Sequence, residues 1–145
     1  MLENQTGSPI SFIEFKPGKG FQVSKEAQEF LSSMNDDPLG VVSIVGKYRT
    51  GKSFFVNRIL LEKKEGGFGV GNTVNACTKG LWLWTDTIPS SNPDTPDLKL
   101  LVLDTEGFGG IEEGMNHDSR IFLFAILLSS YFIYNSLGSI DENAL

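Results

Sequence analysis

The N-terminal part of the chain changes from an alternating pattern to a helical one. Apolar and polar residues alternate over residues 9–15, and a second apolar segment follows a turn-like stretch rich in Gly and Lys, which is typical of a β-hairpin. Over residues 24–34 the apolar positions recur at helical spacing, and Ser24 is suited to cap that helix. We predict that residues 1–40 form a hairpin and a helix that pack on a main domain over residues 41–145.

Four apolar segments in the main domain predict strands. Residues 41–45, VVSIV, form a nearly continuous run of β-branched side chains, which is typical of a strand buried on both faces of a parallel sheet. Three further segments have strand character, namely residues 81–84, 98–103 and 130–134. A Pro/Ser/Asn-rich loop over residues 89–96 separates two of them.

Two helical segments alternate with these strands. One begins near Lys52 and runs to residue 64, where a pair of glycines follows shortly. The other begins at Asp118, and because it is apolar on every side we expect it to be buried. Strands that alternate with helices indicate an α/β fold in which layers of helices cover a sheet.

Charge and cysteine content narrow the class of protein. The chain has 145 residues, with 12 Lys+Arg against 18 Asp+Glu and a formal net charge of −6, which disfavours binding along a nucleic-acid backbone. Cys77 is the single cysteine, so an internal disulfide is excluded and a reducing, cytoplasmic setting is expected. No secretory signal is visible at the start, and the apolar run over residues 121–134 is shorter than the ~20 residues of a membrane-spanning helix.

Residues 46–53, GKYRTGKS, match the phosphate-loop pattern G-x-x-x-x-G-K-[ST] in full. In such loops glycines let successive N–H groups point at one anion, the lysine reaches the β- and γ-phosphates, and the last hydroxyl ligates Mg²⁺. The motif stands directly after a predicted strand and before a predicted helix, as it requires. We therefore predict a nucleotide site formed by Gly46, Lys47, Tyr48, Arg49, Thr50, Gly51, Lys52 and Ser53.

A second motif completes the predicted strand over residues 98–103. Its apolar residues are followed by Asp104, the arrangement in which a carboxylate at the end of a buried strand holds Mg²⁺ beside a phosphate loop. Gly107 is suited to offer its N–H to the γ-phosphate. We therefore extend the predicted nucleotide site by Asp104, Thr105, Glu106 and Gly107.

Three residues outside these motifs invite chemical roles. Thr78 lies in a loop between the first helix of the main domain and the next strand, where a threonine can give its hydroxyl to Mg²⁺ and its N–H to the γ-phosphate. Cys77 and His117 lie far apart in the sequence, so no nucleophile–base pair is inferred, and we expect His117 to be a solvated loop residue.

The predicted metal ligands are Ser53, Thr78 and Asp104.

Four motifs occur together in this chain, namely GKYRTGKS, TKG before the Trp-rich strand, DTEG and LLSSYFIYNSLGSI. Together they resemble the large GTPase domain of the guanylate-binding proteins, relatives of the atlastins in the dynamin superfamily. The resemblance implies a P-loop NTPase three-layer sandwich with a mostly parallel sheet, and GTP hydrolysis with Mg²⁺. It also implies a homodimer through the G domains when nucleotide is bound, with Arg49 as an internal arginine finger. The catalytic residues would then be Arg49, Lys52 and Thr78.

Three features depart from the family pattern. Ala76 stands where the family has a serine, two places before Thr78, that helps to position the attacking water. The guanine-reading motif and the helical C-terminal region lie downstream in the family and are not among these 145 residues. Ser139 and Glu142 have the spacing of a capping box, but the residues that follow are too few for an independent helix. We therefore expect residues 41–145 to be the N-terminal part of a G domain, incomplete at its C-terminus.

Two alternatives to a GTP hydrolase stay open. The missing hydroxyl at Ala76 and the missing base-reading segment favour a nucleotide-binding or dimerisation module with little turnover. Phosphate-loop and metal motifs do not select the base, so an ATP-preferring P-loop NTPase is the second alternative. GTP or GDP and Mg²⁺ are the expected ligands, and neither nucleic acid nor a membrane span is expected.

Overall fold

The structure is a computed structural model, and it describes residues 7–34, 37–47, 49–63, 65–69, 80–105, 107 and 115–138. The predicted site residues Tyr48, Thr78 and Glu106 lie outside the described residues, as do Ala76 and the capping box over residues 139–142. Within the described part, no helix is both long and apolar enough to cross a membrane.

In the part of the chain that the structure describes, seven strands form one sheet. They are β1 (Pro9–Lys16), β2 (Gly20–Val23), β3 (Leu39–Val45), β4 (Leu81–Trp84), β5 (Ile88–Pro89), β6 (Lys99–Thr105) and β7 (Tyr131–Tyr134). Their order is β2-β1-β4-β6-β3-β7, with β5 also paired to β6. β3 runs parallel to both β6 and β7, whereas the other pairs are antiparallel. The parallel part of the sheet is therefore the part that surrounds β3.

Helices cover both faces of this sheet. They are α1 (Lys25–Ser33), α2 (Lys52–Phe55), which continues as a π-helical turn over Val56–Leu60, and α3 (Met115–Leu128). One core cluster joins α1 and α3 to the sheet and includes Leu103, while the other joins the π-helical turn to the sheet and includes Val102. Adjacent residues of a strand point to opposite faces, so helices lie on both sides. The prediction of a three-layer α/β fold of the P-loop NTPase type is confirmed. The sheet is mixed rather than mostly parallel, because the hairpin, β4 and β5 add antiparallel pairs.

The predicted hairpin and first helix are confirmed. β1 and β2 pair antiparallel with Phe15 opposite Phe21, and β1 also pairs with β4, so the hairpin extends the main sheet. Ser24 caps α1, because its Oγ accepts from the Ala27 N–H at 3.1 Å. The same hydroxyl donates to the carbonyl of Ser11, which fixes the start of the helix against β1.

Strand boundaries differ from the predictions by up to two residues at β6 and β7, and two further differences can be assigned to a pairing partner. β3 begins at Leu39 rather than at residue 41, because Leu39 already pairs with Lys99. β5 was not predicted, and its Pro89 lies in the predicted loop, where it pairs with Lys99 from the other side. In both cases a partner strand that is distant in sequence decides where the ladder ends.

The helix after the phosphate loop is shorter than predicted. It ends with the π-helical turn, and Glu62 then adopts a left-handed φ of 50°. Buried Asn57 holds the returning chain, since its Nδ2 donates to the Phe68 carbonyl at 2.9 Å and its Oδ1 accepts from the Phe68 N–H at 2.8 Å. The prediction that this helix runs to residue 64 is wrong, because this long-range pairing turns the chain earlier.

Helix α3 buries one face only. Ile121 and Ala125 are fully buried, whereas Leu127 on the opposite side is 79% exposed. A helix that lies on a sheet contacts it along a single stripe. The prediction of burial on every side is therefore wrong for the part of the chain that the structure describes, and the helix begins at Met115 rather than at Asp118.

His117 belongs to an aromatic cluster. It lies in the first turn of α3, where its ring stacks on Phe21 with 5.2 Å between centroids and meets Phe15 edge-on at 5.6 Å. Phe21 also contacts Phe124 at 5.3 Å. The expectation of a solvated loop histidine is wrong, because the hairpin folds against the start of α3.

Two serines, buried Ser43 and half-buried Ser129, connect the end of α3 to the central strand. The hydroxyls of Ser43 in β3 and Ser129 contact each other, and both lie within hydrogen-bonding distance of the Ala125 carbonyl near the end of α3. Each hydroxyl has one proton, so at most two of these three contacts are hydrogen bonds at any time. A buried hydroxyl destabilises a core unless it is paired. These contacts explain how a serine is accommodated in an otherwise apolar strand.

Replacement of Glu62 by glycine tests the backbone strain behind α2. A non-glycine residue in the left-handed region costs on the order of 1 kcal/mol relative to glycine, so Glu62→Gly should raise the free energy of unfolding by up to about 1 kcal/mol. Urea denaturation measures this change. Glu65→Gly, the same replacement at a residue without a positive φ, should leave stability equal or lower. A Glu62→Gly variant no more stable than this control would contradict the prediction.

Candidate functional site

Three parallel strands end side by side at one edge of the sheet. β3 lies between β6 and β7, with Ile44 opposite Asp104 on one side and Ile133 on the other. The segments that follow these strands therefore lie together, at the carboxyl ends where open α/β sheets bind ligands. The predicted phosphate loop follows β3 and Asp104 lies near the end of β6, so the structure brings both predicted motifs to the same edge.

The loop between β3 and α2 is curled rather than extended. The carbonyl of Lys47 accepts hydrogen bonds from Thr50 Oγ1 at 2.9 Å and from Lys52 Nζ at 3.2 Å. Gly51 adopts a left-handed φ of 83° at the start of α2, which a residue without Cβ does at little cost. This backbone shape is what the phosphate-loop motif requires.

Lys52 brings a positive charge into the site. Its side chain is 6% exposed, which is uncommon for lysine, and its ammonium lies over the loop at Lys47. That charge also acts on the neighbouring carboxyl, since it lowers the pKa of Asp104. An ammonium in this position is placed to interact with phosphate oxygens that lie in the loop.

Asp104 is a fully buried carboxylate. Its Oδ2 accepts a hydrogen bond from Ser53 Oγ at 2.5 Å, while its Oδ1 has no hydrogen-bond partner among the described residues. Desolvation raises the pKa of Asp104 from 3.8 to about 6, although the Ser53 hydrogen bond, the Lys52 charge and the main-chain N–H of Thr105 act in the opposite direction. Burial of a carboxylate with one unpaired oxygen is costly, so this group is suited to a cationic ligand.

The donor set fits Mg²⁺. This ion takes oxygen ligands and binds through one or two protein groups together with waters and phosphate oxygens. Ser53 Oγ and Asp104 are in contact with each other, and Asp104 keeps an oxygen without a hydrogen bond. One hydroxyl and one carboxylate are protein ligands of the kind that a phosphate-bound magnesium ion uses. Among the described residues no three His, Cys, Asp or Glu side chains come together.

The remaining predicted residues play different parts in the geometry. Thr105 Oγ1 donates to the Ile44 carbonyl at 2.8 Å, so its hydroxyl ties β6 to β3. Arg49 is exposed and has a positive φ of 62°, and Gly107 stands two residues beyond β6. The structure places Gly46, Lys47, Thr50, Gly51, Lys52, Ser53, Asp104, Thr105 and Gly107 at this edge, and Tyr48, Thr78 and Glu106 lie outside the described residues.

One polar contact to the loop was missed at the level of sequence. Asn135 follows β7, and its Nδ2 donates to the carbonyl of Thr50 at 2.8 Å. The available signal was its position, because it is the first polar residue after a predicted strand, as Asp104 is after the apolar residues of β6. The sequence does not show that β7 lies beside β3, so it could not indicate that Asn135 lies next to the loop.

Comparison with known proteins agrees with this geometry. The family model described as "Guanylate-binding protein, N-terminal domain" matches residues 18–145. The chain is 47% identical to guanylate-binding protein 2 of Homo sapiens over 138 residues, which cover 94% of this chain and 22% of that protein. It is 45% identical to guanylate-binding protein 1 of Homo sapiens with the same coverage, and 43% identical to guanylate-binding protein 5 of Homo sapiens over 99% of this chain and 23% of that protein. The chain therefore spans about a fifth of the length of the curated relatives it matches.

The raised pKa of Asp104 predicts a pH dependence of stability in the metal-free protein. The folded state binds the Asp104 proton more tightly than the unfolded state. The contribution of this proton to the free energy of unfolding is therefore present below pH 4 and is lost as the pH rises from about 4 to about 6. A shift of this size corresponds to roughly 3 kcal/mol. Denaturant unfolding in EDTA at pH 4 to 7 should show Asp104→Asn gaining stability relative to the unsubstituted protein across that range. If the free energies of unfolding of the two proteins differ by a constant amount from pH 4 to pH 7, the raised pKa of Asp104 is contradicted.

Proposed function

Because this chain belongs to the guanylate-binding protein family, we propose that it binds GTP at residues 46–53 and takes part in Mg²⁺-dependent GTP hydrolysis. Support comes above all from the buried Asp104 carboxylate, which is hydrogen-bonded to Ser53 through one oxygen and has no hydrogen-bond partner among the described residues for the other. A curled loop with a buried lysine lies next to it. Together these are the parts that hold a nucleoside triphosphate and its metal ion.

The residues of the loop would act by binding and orienting the phosphates. The backbone N–H groups and the Lys52 ammonium would stabilise negative charge on the β- and γ-phosphates, with little covalent chemistry left to the protein. Ser53, Asp104 and Thr78 would hold Mg²⁺, which when bound neutralises charge on the β- and γ-oxygens. The N–H of Gly107 would contact the γ-phosphate, and Thr105 and Glu106 would complete that side of the site.

Arg49 is the proposed link between hydrolysis and self-association. It is exposed on the loop, so it is accessible both to a bound nucleotide and to a second copy of the domain. An arginine that reaches the transferring phosphate accelerates hydrolysis by about 10³–10⁵ in related chemistry. We propose that the G domains form a homodimer when GTP is bound, and that this contact directs Arg49 onto the phosphate.

The proposal also covers the rate of hydrolysis, the preferred base and the cellular location. Ala76 lacks the hydroxyl that positions water in the family pattern, which favours slow turnover and keeps a nucleotide-binding and dimerisation module as the second candidate. The family name supports guanine over adenine, although the base-reading segment is not among these residues. A cytoplasmic location is proposed from the single cysteine.

Replacement of Lys52 tests nucleotide binding. Loss of a charge-assisted contact to the phosphates should weaken GTP affinity of the full-length protein by about 100-fold, or about 3 kcal/mol, as measured by titration with a fluorescent GTP analogue in Mg²⁺. Lys19→Ala removes the same charge from the exposed hairpin turn and should bind as before. Excess ATP should compete poorly with GTP. Unchanged affinity in Lys52→Ala would refute the assigned role of the loop.

Introduction of a serine at position 76 tests whether the protein is an impaired enzyme. A hydroxyl that orients the attacking water should raise kcat of Ala76→Ser on the order of tenfold or more, with little change in KM. Steady-state GTP hydrolysis measures both constants. Cys77→Ser, which adds a hydroxyl one residue further along, is the control and should not gain activity. If Ala76→Ser hydrolyses GTP no faster, the binding and dimerisation module becomes the better description.

A further inference from the structure

Asn135 connects the end of β7 to the phosphate loop. Its main-chain N–H donates to the Val45 carbonyl at 2.7 Å, which continues the ladder between β7 and β3 by one residue. Its side-chain Nδ2 donates to the carbonyl of Thr50 at 2.8 Å and to Thr50 Oγ1 at 3.2 Å. The amide therefore extends from a strand of the sheet to the fifth residue of the loop.

Thr50 connects Asn135 to the rest of the loop by hydrogen bonds. Its hydroxyl accepts from Asn135 and donates to the Lys47 carbonyl at 2.9 Å. That same carbonyl accepts from Lys52 Nζ at 3.2 Å. Because a backbone carbonyl is an acceptor only, the atom that faces Thr50 must be the amide nitrogen of Asn135. A continuous set of hydrogen bonds thus runs from β7 to the lysine ammonium.

The main chain of Asn135 also supports the first residue of the loop. A Cβ atom at Gly46 would overlap the carbonyl oxygen of Asn135, so the loop and the end of β7 are in direct backbone contact there. The two contacts hold the loop at its first and fifth residues. They lie on the β7 side of β3, whereas the Ser53–Asp104 bond holds the start of α2 on the β6 side.

We propose, on the basis of the function proposed above, that Asn135 is a positioning residue that holds Thr50 so that the loop N–H groups are directed at the phosphates. A loop ordered before binding does not lose that freedom when the ligand arrives, and affinity is correspondingly higher. Asn135 contacts no phosphate in this role. Its removal should loosen the loop and weaken nucleotide affinity without removing any group that the phosphates touch.

The test compares two variants with a neighbouring control in the full-length protein. Asn135→Ala removes the amide, and Asn135→Asp keeps its size but cannot donate to the Thr50 carbonyl. The affinity for fluorescent GDP and for a non-hydrolysable GTP analogue, both in Mg²⁺, should fall about tenfold in Asn135→Ala and further in Asn135→Asp. Ser136→Ala is the control, since among the described residues its hydroxyl bonds within its own segment, to the Gly138 carbonyl.

Two readouts separate positioning from a general loss of structure. KM for GTP should rise with the dissociation constants while kcat at saturation changes less than threefold, and Asn135→Ala should retain a cooperative unfolding transition without nucleotide. Thr50→Ala removes the second acceptor, so combining it with Asn135→Ala should cost less than the product of the two separate fold-changes. If Asn135→Ala does not fold, Asn135→Asp takes its place in the same cycle.

The outcomes distinguish this inference from the proposed function. If the unsubstituted protein binds neither nucleotide, the proposed function fails. If it binds both and the Asn135 variants bind as tightly, the positioning role of Asn135 is overturned while the proposed function stands. If the effects of Asn135→Ala and Thr50→Ala multiply independently, transmission through the Thr50 hydroxyl is overturned, since the Thr50 carbonyl still accepts from Asn135 in Thr50→Ala.

Discussion

The hydrogen bond from Ser53 to Asp104 joins the helix after the phosphate loop to the neighbouring parallel strand. Both partners are held by elements that the sheet sets side by side, since β3 and β6 pair in parallel with Ile44 opposite Asp104. A fully buried carboxylate is costly without a cation or full hydrogen bonding, and here desolvation raises its pKa to about 6. The fold thus maintains a charged group in its core where, under the proposed function, a metal ion and phosphates would stabilise it.

The loop itself is held from two directions. On the β6 side, Ser53 is anchored to Asp104, and on the β7 side Thr50 is anchored to Asn135. Within the loop, the Lys47 carbonyl accepts hydrogen bonds from the Thr50 hydroxyl and the Lys52 ammonium. Because β3 is the central strand of the three, both anchors act on the segment that leaves its end, and a binding site needs this kind of external support to keep its groups in place.

Much of this site was predictable because local motifs carry it. Each motif is a contiguous stretch of sequence: the phosphate loop between its strand and helix, and the acid after an apolar strand. The structure brings the two motifs to one edge of the sheet. Other features depended on distant partners. The end of α2 is decided by Asn57 and Phe68, and His117 is packed because the hairpin lies against α3. The exposure of Leu127 could not be inferred from apolar composition, which states what a residue favours and not which neighbour covers it.

By itself the sequence determined the position of every strand except β5, the curl of the loop, and the residue types available for phosphate and magnesium. These depend on backbone conformations and side-chain chemistry over a few consecutive residues, such as the glycine at position 51 and the hydroxyl at position 53. Only the tertiary structure decided which strands are neighbours, that Asp104 loses all contact with water, and that Asn135 meets Thr50 across 85 positions of the chain. Such contacts are set by the packing of the whole sheet, which no local pattern encodes.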